Sequence, residues 1–199
     1  MNSLRTGVTV VIPSIPPRMG RHLHRALDSV QMQTRSVDAV SVVVDQAHLG
    51  AAATRNEALA AVRTQWCVFL DDDDVLDPDH VELLMAHQQE TGADLVYPWF
   101  RVENGFDPFP QYEGHPFEER ALREIQNFIP VTVLARTELI RESGGFQPLG
   151  PPDNPCDDYG AWLALLNAGA KFSHLNRRTW SWVWHGGEGG NTSGRGDRW

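Results

Sequence analysis

Trp66-Cys67-Val68-Phe69-Leu70-Asp71-Asp72-Asp73-Asp74-Val75-Leu76-Asp77-Pro78 is the stretch that decides how this 199-residue chain is read. An apolar run with the look of a buried strand leads straight into four consecutive aspartates. Crowding four carboxylates into one turn costs repulsion and desolvation, so a scaffold with no use for them rarely keeps them. A divalent cation reverses that cost, because hard cations such as Mg2+ and Mn2+ take oxygen ligands. The carboxyl end of a sheet strand is also where open α/β folds place their ligands. The competing reading is a solvated acidic turn capping a helix that begins near Pro78.

Working outward, the same alternation of apolar strands and amphipathic helices continues on both sides. Val8 to Ile12 is continuous and β-branched, as a strand buried on both faces should be, and it ends at the loop Pro13 to Arg18. Arg21 to Met32 carries Leu23, Leu27, Val30 and Gln31 as a helical stripe, and Val40 to Val44 reads as a second buried strand ending in Asp45. Gly50 to Val62 reads as an alanine-rich helix, Cys67 to Leu70 as the third strand, and Pro78 to Glu90 as a helix stopped by Gly92. Leu95-Val96-Tyr97 is the fourth strand. The order predicts an α/β fold with a mostly parallel, doubly wound sheet.

Past Arg101 the pattern loosens. Val131 to Leu134 reads as a strand, a short helix ends at Gly144-Gly145-Phe146, and Asp157 to Ala168 reads as a helix. Phe172 to Leu175 and Trp180 to Trp184 read as two further strands, and the glycine-rich segment 186–199 as a lid or a frayed end. A single domain is expected over 1–199.

Composition narrows the function classes. With 41% hydrophobic and 22% charged residues the chain is ordinary globular material, and no apolar run approaches a membrane span. Met1 to Arg5 lacks the apolar stretch of a secretory signal, so the expected location is cytoplasmic. A formal charge of −9 and a pI near 5.3 argue against a surface that tracks nucleic-acid phosphates, while leaving room for a substrate that merely contains phosphates. Two cysteines make no disulfide framework: Cys67 reads as core, and Cys156 has no assigned role.

Several segments together give the chain its resemblance. Val8 to Ser14, Gly50-Ala51-Ala52-Ala53-Thr54-Arg55-Asn56, Phe69 to Asp74, Arg136 to Phe146 and Asp157-Asp158 occur in that order. In this respect the chain resembles the family 2 glycosyltransferases of the GT-A fold: their Pro-Thr/Ser turn, Gly-x-x-x-x-Arg-Asn segment, Asp-x-Asp signature, Gly-Gly-Phe stretch and acidic pair. The resemblance implies a nucleotide-binding half over about 1–100, an acceptor half over about 101–185, and a metal-dependent, inverting transfer of a sugar from a nucleoside-diphosphate sugar, most simply a UDP-sugar, to an acceptor hydroxyl whose class stays open, a modified nucleobase included.

By that resemblance, Pro13, Ser14 and Asp45 frame the base, and Asp45 is placed to accept from a uracil imide. Arg55 and Arg18 reach the diphosphate or the ring. Asp73 is the foremost ligand of Mn2+ or Mg2+ with Asp71 as a second, Asp71 or Asp72 meets the ribose or the metal's water, and His185 completes the metal shell. Asp158 is the general base, and Asp157 either orients the acceptor or caps its helix. Trp180, Trp182 and Trp184 are either acceptor-stacking groups or ordinary strand packing. Arg195-Gly196-Asp197-Arg198-Trp199 is similar to the Gln-x-x-Arg-Trp motif of processive members, with arginine in place of glutamine.

Two other readings compete. A sugar-phosphate nucleotidyltransferase would show a glycine- and base-rich loop after the first strand, and Pro13 to Arg18 contains no glycine. A non-catalytic sugar-nucleotide-binding domain would be expected to have lost Asp73 or Asp158, and both are present.

Overall fold

The computed structural model describes residues 4–108, 110–149 and 156–185. Strand β1 (Arg5–Ser14) is followed by a single 3-10 turn (Pro16–Arg18), α1 (Arg21–Gln31), β2 (Ala39–Val44), α2 (Ala51–Ala61) and β3 (Thr64–Phe69). After the acidic turn come β4 (Val75–Leu76), α3 (His80–Thr91) and β5 (Leu95–Glu103). The remainder is α4 (Glu119–Glu124), β6 (Leu134–Arg136), α5 (Thr137–Glu142), α6 (Asp157–Asn167) and β7 (Phe172–Val183).

All seven strands join one mixed sheet in the order β2-β1-β3-β6-β5-β7-β4. β1 pairs in parallel with β2 and β3, and β5 pairs in parallel with β7. β6 runs antiparallel to both β3 and β5, and β4 runs antiparallel to β7. Strands β1, β2, β3, β5 and β7 therefore share one direction, and their carboxyl ends line one edge of the sheet. This edge carries Ser14, Asp45, the acidic turn and His185.

The continuous apolar runs follow from burial on both faces. Alternate residues of β1 and β3 point to opposite sides. Val11, Cys67 and Phe69 join Tyr97, Phe146 and Trp162 in a core that includes α2, α5 and α6. Val10, Ile12, Val68 and Leu70 join Leu84 and Trp180 in a second core that includes α1 and α3. Two glycines serve the fold: Gly92 stops α3 in the left-handed region at φ 64°, and Gly145 holds φ 67° against Asn56.

Five sequence expectations need correction. β2 is half exposed rather than buried, with Val40 39% and Val42 37% accessible, because it is the edge of the sheet and has β1 alone beside it. β7 is one strand, not two: Asn176 and Arg177 are polar because they are solvent-facing, Arg178 is polar but largely covered, pairing with Asp107 at 2.6 Å, and register shifts near Trp99 absorb the irregularity. The strand expected at Val131 to Leu134 begins only at Leu134, and the fourth strand runs on to Glu103 with β6 between it and β3. On α1, Gln31 is exposed; the buried glutamine is Gln33, which donates to Ser29 O and Asp77 O and accepts from Val81 N.

No helix among the described residues is long and apolar enough to cross a membrane. The expected lid or frayed end at 186–199 and the Arg195 to Trp199 motif lie outside the described residues.

Candidate active site

At the end of β1, Ser14 Oγ donates to Asp72 Oδ2 at 2.6 Å, so the first loop and the acidic turn are tied directly. Pro13, Ser14, Ile15, Arg18, Asp45, Ala51, Thr54 and Asp72 line one pocket at this edge. Asp45 accepts from the backbone N–H of Leu49 at 2.9 Å and of Gly50 at 2.8 Å. Burial works against its charge, but these donors, helped by His48, hold the carboxyl below its ordinary range. Asp45 thus stays ionised and shapes the turn into α2 as well as facing the pocket.

The four aspartates divide the work. Asp71 Oδ1 accepts from Arg55 Nη2 at 2.6 Å. Asp72 is buried between Ser14 and Arg18, whose Nη1 lies 3.1 Å from Asp72 Oδ1 and 2.7 Å from Asp73 Oδ2. Asp73 keeps some accessible surface. Burial holds its carboxyl up at about 7, Arg18 offsets this in part, and Asp71 and Asp72 add to it. Asp74 turns inward and accepts from Val183 N at 3.0 Å; burial and its acidic neighbours raise its carboxyl well above the usual range. It fastens the turn to β7, a role the sequence reading left unassigned.

That fastening brings His185 to the turn. Its Nε2 lies 3.4 Å from Asp73 Oδ2 and is buried with no hydrogen-bond partner. The ring makes an edge contact with His22 at 4.7 Å between centroids. Burial, then His22 and Arg18, lower its pKa and leave a neutral imidazole, the form that ligates metals. An orphaned ring nitrogen beside a carboxylate that burial destabilises fits a cation. Among the described residues no group of three or more His, Cys, Asp or Glu side chains is arranged to hold a metal. A cation that also binds a diphosphate needs only one or two protein ligands, the rest being phosphate oxygens and water.

Arg55 and the acidic pair complete the site. Arg55 is 3% exposed. Its Nη1 donates to Asp157 Oδ2 at 2.5 Å while Nη2 holds Asp71, and its guanidinium lies 5.6 Å from the Phe146 ring centroid. Burial opposes its charge, yet Asp71 and Asp157 more than compensate and keep it protonated. Asp158, one residue on, accepts from Tyr159 N at 2.7 Å and from Asn127 Nδ2 at 3.2 Å. Burial first, then the charge of Asp157, raise the Asp158 carboxyl to about 6, with Arg55 pulling the other way. Asp157 and Asp158 stand in the first turn of α6, whose N-cap is Cys156.

The structure therefore gathers Ser14, Arg18, Asp71, Asp72, Asp73 and His185 on one linked cluster, with Asp157 joined to it through Arg55. Pro13 and Asp45 line the adjoining pocket. Trp180 is buried, while Trp182 and Trp184 are partly accessible and pack on each other at 5.7 Å. Sequence reasoning missed Asn127, which lies in an irregular segment with no pattern to mark it. It also missed Asn56, whose Oδ1 accepts from Phe146 N and whose Nδ2 donates to Phe146 O, both at 2.8 Å. Its place beside Arg55 in the Arg-Asn segment was the available signal.

A family model described as glycosyl transferase family 2 matches residues 26–137, more than half of the chain. The chain belongs to glycosyl transferase family 2. Its fold is GT-A, as solved structures of S. aureus TarS show. TarS 1-349 in complex with UDP-GlcNAc superposes with a TM-score of 0.73 at 17% identity, covering 94% of this chain and 61% of that one. TarS 1-349 in complex with UDP gives 0.65 at 17% identity, covering 90% and 61%. A crystal structure of S. aureus TarS gives 0.67 at 18%, covering 90% of this chain and 37% of that one. This family 2 chain thus spans about three-fifths or less of the length of these TarS chains. No curated protein matches it.

Proposed function

We propose that this family 2 glycosyltransferase moves a sugar from a UDP-sugar to an acceptor hydroxyl with inversion, using Asp158 as general base. The observation that carries the reading is the Asp158 carboxyl. It is mostly buried, is held near 6, and is linked through Asp157 and Arg55 to the acidic turn at the sheet edge. A base of that strength is ionised at neutral pH yet accepts a proton readily.

In this account the donor nucleotide lies in the pocket lined by Pro13–Ile15 and Asp45, with Ser14, Arg18, Asp45, Thr54 and Asp72 as its polar groups. Arg18, standing on Asp72 and Asp73, is placed to turn toward the diphosphate. The acceptor oxygen gives its proton to Asp158 and bonds to the anomeric carbon. The bond from that carbon to the diphosphate breaks, and the electron pair leaves with the phosphate. Mn2+ or Mg2+, held by Asp73 and His185, would supply positive charge where the leaving diphosphate becomes more negative. Asp71, with one oxygen on Arg55, and Asp72, with both on Ser14 and Arg18, are more consistent with shaping the donor site than with ligating the cation. The solved TarS complexes with UDP-GlcNAc and UDP support a uridine nucleotide for this fold. Membership in the family sets aside the nucleotidyltransferase reading.

The test is a panel of nucleotide sugars scored for thermal stabilisation with Mn2+, then for release of the nucleoside diphosphate. Stabilisation by at least one UDP-sugar over its GDP and CMP counterparts is expected. A panel in which nothing binds, or in which another nucleotide wins, overturns the donor assignment.

A further inference from the structure

We propose that Arg55 is a positioning residue for the transfer step rather than a contact for the donor: its guanidinium spans Asp71 and Asp157 and thereby sets where the neighbouring base, Asp158, stands relative to the acidic turn. The idea rests on Asp158 being the base.

The geometry is that of a strut. Arg55 comes from the buried face of α2, Asp71 follows β3, and Asp157 opens α6. One planar group bonds both carboxylates, at 2.6 Å and 2.5 Å, through different nitrogens. A guanidinium delivers its donors in a rigid fork, so bonding at both ends fixes the separation of the two carboxylates as well as neutralising them. Phe146 closes one side of the guanidinium, and Phe146 is itself clamped at both backbone atoms by Asn56, the next residue in sequence. Arg55 Nε is buried without a hydrogen-bond partner. With 3% exposure and both terminal nitrogens engaged, the side chain is committed to the protein and poorly placed to meet a nucleotide.

The axis of α6 has its own seat, because Gly160 packs directly on the backbone oxygen of Gln147, where a Cβ would lie at 2.4 Å. What Arg55 adds is the orientation of the carboxylates in the first turn. Without it, Asp71, Asp157 and Asp158 are left facing one another in a buried site with no cation between them, and like charges so placed move apart. A displacement of about 1 Å in a reacting group is enough to cost about a hundredfold in rate.

The experiment compares Arg55→Ala, Arg55→Lys, Asp157→Asn and the Arg55→Ala/Asp157→Asn double variant. The readouts are kcat, donor KM, UDP affinity by calorimetry with Mn2+, and crystal structures of the Ala and Lys variants. A strut predicts that Arg55→Ala loses kcat by about a hundredfold while donor KM and UDP affinity stay within about threefold. Lysine, a single point charge, recovers part of the loss, and the double variant is no worse than Arg55→Ala, because both substitutions cut the same link. A donor KM or UDP affinity weakened tenfold or more at unchanged kcat would make Arg55 a donor contact and overturn the proposal. Should Arg55→Ala fail to fold, Asp157→Asn and Arg55→Lys carry the same comparison. If the wild-type chain transfers no sugar at all, the functional reading fails. The strut is then judged on the crystal structures alone: Asp157 and Asp158 unmoved in the variants would refute it, and displaced carboxylates would uphold it.

Discussion

Asp158 makes the sharpest demand at the scale of single residues. As the proposed base it must be ionised to take the acceptor's proton, and burial beside Asp157 holds its carboxyl at about 6. kcat/KM for transfer should therefore climb as pH rises through about 6 and level off above it. Asp158→Asn should abolish that limb, cut turnover by about a hundredfold or more, and leave UDP affinity intact. A stopped assay across pH 5 to 8 checks both; an unchanged rate in Asp158→Asn would remove it from the mechanism. The acidic run, the Arg-Asn segment and the Asp-Asp pair were legible in the sequence because each is a local pattern. The pairing of Arg55 with Asp157, 102 positions apart, was not, and neither was that of Asn127 with Asp158. Such contacts are made by the fold, and nothing in the spacing of the residues announces them.

Among the elements, the clamp between α2 and the loop after α5 is the most exposed to test. Asn56 satisfies both the N–H and the C=O of Phe146, and Gly145 brings its φ of 67° within reach of that amide, where a Cβ would lie 2.3 Å from Asn56 Oδ1. Asn56→Ala leaves two backbone groups without partners and should cost about 2 kcal/mol, read as a lower urea midpoint at unchanged slope. Gly145→Ala should be destabilising in the same assay, from a left-handed backbone as well as the clash. At this scale the sequence was a fair guide wherever an element had a clear period. β1 and β2 stood out as β-branched runs and β3 as an apolar one. It misled at β2, because an apolar run cannot tell an edge strand from a central one, and at β7, where Asn176, Arg177 and Arg178 look like a break but belong to a continuous strand, the first two facing solvent and Arg178 paired with Asp107. β4, only two residues long, had no pattern to find.

For the whole molecule, His80 links stability to pH. It is fully buried with Nδ1 on Thr179, and burial lowers its pKa from 6.5 to about 3. The unfolded chain thus takes up a proton below pH 6.5 that the folded chain refuses until about 3, so His80 drains stability as pH falls through that window. Urea midpoints measured at pH 7 and pH 5 should fall less in His80→Gln than in the parent; an equal fall in both would clear His80 of the effect. The sheet order explains why a site assembled from residues 13 to 185 can be compact at all. Five strands share a direction, so their carboxyl ends bring loops from across the chain to one edge. The parallel half of that order was legible from the alternation of strands and helices. The insertion of β6 between β3 and β5 was not, because no local signal specifies which strand pairs with which.

The central claim is that the acidic turn grips a nucleoside diphosphate through a cation held by Asp73 and His185. Calorimetric titration of UDP into the protein, with and without Mn2+, tests it most directly when repeated on Asp73→Ala. The account predicts that Mn2+ tightens UDP binding at least tenfold in the parent, and that Asp73→Ala loses this gain while its metal-free affinity changes little. Equal tightening by Mn2+ in both proteins, or no effect of Mn2+ in either, would contradict it.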